Sequence, residues 1–269
     1  MRVIVTRPQA DAQRWVGQLR ERGLEALALP LLTIGPAPDP GSLRRAWEHI
    51  GDYVALMFVS GSAVVRFFAA RPAPGQGFGL AGAHCPRAWA VGPGTVRALR
   101  LQGLEQRSID APPADAVQFD SQALWQQVGA TARSGSRVLI VRGADGAGAA
   151  NSQAVAAAAI GRDWLAQQLA GQGVRVDFVQ AYVRQAASLD SVQQQVAQAA
   201  AHDGSVWLFS SAQAVLALAR NLPAVNWSGA RALATHARIA QAARGAGFGV
   251  VCESRPDLAQ IVASIESMA

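Results

Sequence analysis

Val54-Ala55-Leu56-Met57-Phe58-Val59-Ser60-Gly61-Ser62-Ala63-Val64 is the stretch on which the fold turns. An unbroken apolar run meets a serine–glycine turn, and apolar residues then resume at helical spacing. A strand apolar on both faces that feeds straight into a helix belongs to a parallel sheet covered on both sides. Late in the chain, Val206-Trp207-Leu208-Phe209-Ser210-Ser211-Ala212-Gln213-Ala214-Val215 repeats the arrangement. Two such units imply two parallel sheets.

Other units also occur twice. Val3–Val5 reads as a strand ending in Thr6-Arg7-Pro8, followed by a helix over Ala10–Arg22 with Ala12, Trp15, Val16 and Leu19 on one face and Gly23 as its stop. A second strand is expected over Leu24–Leu32. The same pair returns as the strand Val138–Gly143, a helix over Arg162–Ala170 ended by Gly171 and Gly173, and a strand over Val174–Val183. Trp89-Ala90-Val91-Gly92-Pro93-Gly94-Thr95 resembles Ala232-Leu233-Ala234-Thr235-His236, each leading into a helix that ends near a glycine (Gly103, Gly247). Ser108–Val128 resembles Val250–Ile265.

Let A-B be the strand–helix–strand pair of Val3–Leu32 and of Val138–Val183, and C, D and E the units beginning at Val54, Trp89 and Ser108 and again at Val206, Ala232 and Val250; the chain then runs A-B, C-D-E-A-B, C-D-E. Both sets close if the middle one folds by itself and the first A-B joins the last C-D-E. The expected fold is therefore α/β: two flavodoxin-like doubly wound parallel-sheet domains, the second inserted into the first, joined by a two-strand linker. The limits read as 1–34 with 187–269 for one domain, 39–180 for the other, and 35–38 and 181–186 for the linkers. Two crossovers leave the domains able to rotate as a ligand binds.

Composition fits this. Hydrophobic residues make up 51% of the chain and charged ones 16%, enough for real cores and against disorder. The net charge is +6, and every one of the 24 basic residues is arginine. An arginine-only, alanine-rich chain reflects biased composition first; it also supplies cations for anionic ligands. No basic cluster marks a nucleic-acid surface, and no apolar run spans a bilayer. Cys85 and Cys252 form no metal-ligand pattern with His49, His84, His202 and His236. Met1-Arg2-Val3-Ile4-Val5 reads as a strand rather than a signal peptide. A soluble cytoplasmic monomer is expected, without metal, nucleic-acid or membrane partners.

Ligands of open α/β sheets bind beyond the carboxyl ends of the strands. Here those ends are Thr6-Arg7, Ser60-Gly61-Ser62, Gly92-Pro93-Gly94-Thr95, Arg142-Gly143, Ser210-Ser211 and Thr235-His236. Each precedes a helix, whose unpaired N–H groups and positive dipole end attract anions. Ser62, Ser211 and Thr95 can equally be plain helix caps. Candidate ligand contacts are Arg7, Ser60, Gly61, Ser62, Ala63, Gly92, Thr95, Arg142, Gly143, Arg162, Ser210, Ser211, Ala212, Thr235 and His236. The Ala/Gly-rich stretch Ala144–Gly161 reads as a tolerated insertion or as a lid.

Nucleotide motifs fail. Gly92-Pro93-Gly94 lacks the third glycine of a dinucleotide fingerprint, and a chain without lysine has no P-loop. GxSxG and HExxH are absent, and neither Ser62 nor Ser211 has an evident acid–histidine partner.

The same residues carry a family likeness. The chain resembles uroporphyrinogen-III synthases over essentially its whole length. The likeness rests on Val5-Thr6-Arg7-Pro8, Phe58-Val59-Ser60-Gly61-Ser62-Ala63-Val64, Ala90-Val91-Gly92-Pro93-Gly94-Thr95, Val138–Gly143, Gly161-Arg162-Asp163-Trp164-Leu165, Ala181-Tyr182-Val183-Arg184, Phe209-Ser210-Ser211-Ala212 and Thr235-His236-Ala237-Arg238-Ile239-Ala240. It departs from the family in the length of the 144–161 insertion and in Ala237, where related bacterial sequences often have proline. The resemblance implies closure of hydroxymethylbilane, an octacarboxylate, to uroporphyrinogen III with loss of water and inversion of the terminal ring. It implies no cofactor and allows passing contact with the preceding enzyme of the pathway. It also marks Tyr182 as the candidate catalytic residue, because a phenol keeps its proton at neutral pH and can donate it to a departing hydroxyl. Competing readings are a non-catalytic two-domain sensor or binding protein for a small polyanion, and a nucleotide-sugar transferase lacking its usual motifs.

Overall fold

The computed structural model describes residues 1–72, 85–116, 118–145 and 164–268. These fall into two compact units, one made of Met1–Thr33 with Gln185–Ala269 and the other of the described residues between Ile34 and Arg184.

The first unit is built on β1 (Arg2–Val5), β2 (Glu25–Ala28), β9 (Val206–Phe209), β10 (Arg231–Ala234) and β11 (Val250–Glu253). They are ordered β11-β10-β9-β1-β2, and every adjacent pair is parallel. Counted within the unit this is the doubly wound order 2-1-3-4-5. Alternation along each strand sends side chains to two separate cores. Val3 and Val5 pack with Trp15 and Leu19 of α1 (Gln9–Arg20) and Ile261 and Ile265 of α10 (Leu258–Glu266). Ile4, Trp207 and Phe209 pack against α7 (Ser191–Ala200), α8 (Ala212–Asn221) and α9 (Ala237–Gly245). Trp207, Trp227 and Phe248 interlock there, with Trp207 edge-on to Trp227 at 5.4 Å and Trp227 stacked on Phe248 at 5.2 Å.

The second unit holds β4 (Ala55–Phe58), β5 (Arg87–Ala90), β6 (Ile109–Asp110), β7 (Arg137–Asp145) and β8 (Arg175–Ala186), with β3 (Leu32–Gly35) at the edge beside β8. The order is β3-β8-β7-β4-β5-β6, and β4 to β8 pair in parallel. Without β3 it is again 2-1-3-4-5, entered at its third strand. On one face lie α2 (Pro40–Glu48), α3 (Gly61–Ala69) and α4 (Pro93–Leu101), around Trp47, Phe58 and Phe67. On the other lie α5 (Ser121–Val128) and a helix at 164–171, α6, around Met57, Trp89 and Ile140. The expected doubly wound fold with one domain inserted in the other is thus the one found.

Helix stops follow the glycines. At Gly23 the chain takes φ +80°, and the Leu24 N–H donates back to Leu19 at 3.1 Å. At Gly103 φ is +89° and Leu104 donates back to Leu99 at 3.2 Å. Each turn ends a helix and aims the chain at the next strand; the left-handed conformation is open to glycine without the Cβ penalty.

One local expectation is corrected. The single strand over Leu24–Leu32 is broken into β2 and β3. Pro30 has no N–H to continue a ladder; Leu29 still donates to Val5 at 2.9 Å, after which the chain leaves for β8. Gly35 lies within β3 and residues 181–186 within β8, and the Val183 N–H donates to the Pro36 carbonyl at 3.1 Å.

Candidate functional site

In each sheet the winding reverses between two central strands, so helices leave on opposite faces and a crevice opens at the carboxyl ends. In the first unit the reversal lies between β1, which leads to α1, and β9, which leads to α8. In the second it lies between β7 and β4, which leads to α3.

Arg7, Ser210, Ser211, Ala212, Thr235 and His236 all stand at this end of the first sheet, and all are half-buried. Thr6, beside them, is buried and its hydroxyl donates to the Leu208 carbonyl at 2.8 Å, tying β1 to β9. The Arg7 guanidinium lies over Trp15, 4.7 Å from the ring centroid, held at the α1 side of the crevice. His236 caps α9, its Nδ1 accepting from the Arg238 N–H at 3.1 Å. The Ile239 N–H is taken by the His236 carbonyl at 2.9 Å. Ser211 sits at the cap position of α8 but makes no side-chain cap bond, so its hydroxyl is not spent on the helix.

In the second unit Ser60, Gly61, Ser62 and Ala63 turn from β4 into α3, Gly92 and Thr95 turn from β5 into α4, and Arg142 and Gly143 lie on β7. Ser60, not Ser62, is the α3 cap: its Oγ accepts from Ala63 N–H at 3.1 Å. That bond uses the Ala63 amide, leaving those of Gly61 and Ser62 as the ones without an intrahelical acceptor. At α4 Pro93 has no N–H, and Thr95, only 5% exposed, donates to the Gly92 carbonyl at 3.0 Å. Gly94 therefore carries the amide of that first turn without an intrahelical acceptor. The Arg142 guanidinium lies over Phe178 at 4.5 Å. Arg162 and the 146–161 part of the insertion lie outside the described residues.

Tyr182 comes to the reversal point by a bulge. Along β7 and β8 the register pairs Arg142 with Gln180 and then Gly143 with Tyr182, so Ala181 is an extra residue on β8. Val179, Ala181 and Tyr182 consequently all join the core under α3, where strict alternation would turn Tyr182 to the other face. Its ring, 3% exposed, lies over Gly143, and its Oη is 3.1 Å from Ser60 Oγ. The site thus contains two touching hydroxyls at the N-terminus of a helix.

Shifted ionisations lie elsewhere. Tyr53 precedes β4, and burial followed by the Asp177 charge pushes its phenol up. Arg137 opens β7, and its pKa is raised chiefly by the hydrogen bond to Asp177. Arg87 opens β5 and is raised by its hydrogen bond to Asp110. These groups open their strands at the amino ends, where Arg137 pairs with Asp177 and Arg87 with Asp110, as structural ion pairs do.

A groove of about 770 Å³, lined by Pro93, Val96, Arg97, Arg100, Leu101 and Phe119 among others, runs along α4. It was not legible in the sequence, because the facing residues come from the segment after β6. Among the described residues no cluster of His, Cys, Asp and Glu could hold a metal ion.

A family model described as "Uroporphyrinogen-III synthase HemD" matches residues 13–263. A crystal structure of a mutant uroporphyrinogen III synthase from Thermus thermophilus is 16% identical, covers 100% of this chain and 98% of that one, and has a TM-score of 0.54. The wild-type structure from the same organism is 15% identical with a TM-score of 0.43, covering 100% and 97%. The first of these shares the fold; the family match over nearly all of the sequence goes further, and the chain belongs to the uroporphyrinogen-III synthase family.

Proposed function

We propose that this chain closes hydroxymethylbilane to uroporphyrinogen III, with Tyr182 as the proton donor that starts the reaction. Family membership makes it an enzyme of tetrapyrrole synthesis. The observation that carries the chemical reading is the Tyr182–Ser60 hydroxyl pair at the winding reversal of the second sheet.

The substrate must lose its hydroxyl as water. In this reading the Tyr182 proton passes to that hydroxyl as the carbon–oxygen bond breaks, leaving an azafulvene cation. The substituted carbon of the terminal ring attacks, a spiro intermediate fragments, and the ring recloses inverted. The proton lost when the pyrrole ring that took part in the final closure regains its aromaticity returns to the phenolate, so the net loss is one water. None of these steps asks for a strong nucleophile. They ask for a fixed substrate and tolerance of a transient cation. Arg7, Arg142 and Arg162, with the amides at Gly61, Ser62, Gly94, Ala212 and Ala237, are the groups assigned to the substrate carboxylates. The reaction so written is a lyase reaction that uses no cofactor.

Among the described residues no helix is long and apolar enough to cross a membrane. We take the enzyme to be a cytoplasmic monomer, which sedimentation of the purified chain checks. The function is tested by incubating the protein with freshly prepared hydroxymethylbilane and separating the products. Isomer III, formed faster than spontaneous closure, is expected. Isomer I alone at the uncatalysed rate would leave the polyanion-binding reading in its place.

A further inference from the structure

We infer that Ser60 and Gly143 are positioning residues for Tyr182, one fixing where its proton points and the other where its ring can lie. The inference rests on the catalytic reading of Tyr182 given above and assigns to Ser60 and Gly143 a role other than carboxylate binding.

Three features of the second unit converge on this phenol. The extra residue Ala181 turns Tyr182 toward α3. Gly143 then leaves the space the ring needs: a Cβ there would come within 2.5 Å of both Cε2 and Cζ and 2.9 Å of the hydroxyl. No real Cβ approaches so closely, so any other residue at 143 displaces the hydroxyl end of the ring. Finally, Ser60 Oγ meets Oη at 3.1 Å while accepting from Ala63 N–H. That second bond fixes the serine rotamer, so the hydroxyl faces the phenol from one direction.

The arrangement has a chemical consequence. When the Tyr182 proton goes to the departing hydroxyl, the electron pair of the breaking carbon–oxygen bond leaves with that oxygen as water. The phenolate left behind accepts a hydrogen bond from the Ser60 hydroxyl. The serine oxygen is itself held by an amide at the positive end of α3, which favours negative charge nearby. Ser60 thus acts through Tyr182 and not on the substrate.

The chain contains two tyrosines, Tyr53 and Tyr182, so labelling tyrosine with ¹³C at Cζ gives two signals, and Tyr182→Phe identifies which is which. Ser60→Ala should move the Tyr182 signal, and Ser60→Thr should restore it. Gly143→Ala should also displace the Tyr182 signal, with the Tyr53 signal fixed as a control for folding. In turnover, Ser60→Ala should lower kcat roughly fivefold with KM little changed, the loss of about one hydrogen bond. In the Tyr182→Phe background the same substitution should have almost no further effect. A Tyr182 signal that stays in place in both Ser60→Ala and Gly143→Ala would overturn the inference, as would an equal loss from Ser60→Ala with and without the phenol. If Tyr182→Phe itself turns over like the wild type, the catalytic reading fails, while the two signals still report whether Ser60 and Gly143 hold the ring.

Discussion

The ring of Tyr182 lies so close over Gly143 that a single added carbon at residue 143 would stand 2.5 Å from two of its ring atoms. Placing a residue by such contact has an energetic signature. Gly143→Ala forces a rigid, 3%-exposed ring to move and should destabilise the second unit by about 1–3 kcal/mol, the usual cost of overpacking. In a Tyr182→Ala background the same substitution should cost far less, because the clashing atoms are gone. Denaturant unfolding of the four proteins of this cycle measures the coupling; additive effects would mean that the contact carries no strain.

Ser60 and Ser211 occupy the same place in the two units but differ in use. Ser60 accepts from the Ala63 amide, whereas Ser211 makes no cap bond. Ser60→Ala should therefore lower stability by about 1 kcal/mol, the typical worth of a cap, and Ser211→Ala should be close to neutral. If Ser211 instead meets a substrate carboxylate, its removal should appear as a higher KM.

Arg7 is held over Trp15 rather than extended into solvent. Guanidinium stacking pre-orders the fork that binds carboxylates. Arg7→Ala should raise KM by about tenfold, the loss of one charge-assisted contact, and leave kcat nearly unchanged. Trp15→Leu should reproduce part of that rise without removing the charge. A fall in kcat at constant KM would instead place Arg7 at the reacting atoms.

Tyr53 provides a check at the opposite ends of the strands. Its phenol is pushed up by burial and then by the negative charge of Asp177, which also holds Arg137 at 2.6 Å. Tyr53 should titrate above the ordinary phenol range, and Asp177→Asn should bring it down. Because the folded-state value is raised, the stability this tyrosine contributes is complete below the ordinary phenol range and is lost as pH rises through the folded value. A ¹³C titration of wild type and Asp177→Asn reads the shift; an unchanged midpoint would remove the carboxylate as a cause.

The architecture was legible because its signals are local and repeated. The β4 and β9 runs are apolar at every position and break at a serine turn, and Gly23 and Gly103 stop their helices as read. The split between β2 and β3 was hidden because Leu24–Leu32 stays apolar through Pro30, and only the backbone shows where the ladder ends. The site was half legible. Serines at strand ends marked the reversal points, but Ser60 and Ser62 are both sound cap residues, and sequence spacing does not choose between them. Tyr182 was marked by family resemblance alone. Its aim depends on the extra residue at Ala181, and a small residue such as alanine fits a regular strand position as well as a bulged one.

In the proposed function the chain is a synthase whose first step is proton donation from Tyr182. This is tested most directly by following isomers I and III over time from hydroxymethylbilane with wild type and Tyr182→Phe, both shown to be folded. Wild type should give isomer III, and Tyr182→Phe should give it about a hundredfold more slowly, the low end of what a positioned acid contributes. Equal rates of isomer III from the two proteins would contradict the role of Tyr182, and isomer I alone from wild type would contradict the synthase itself.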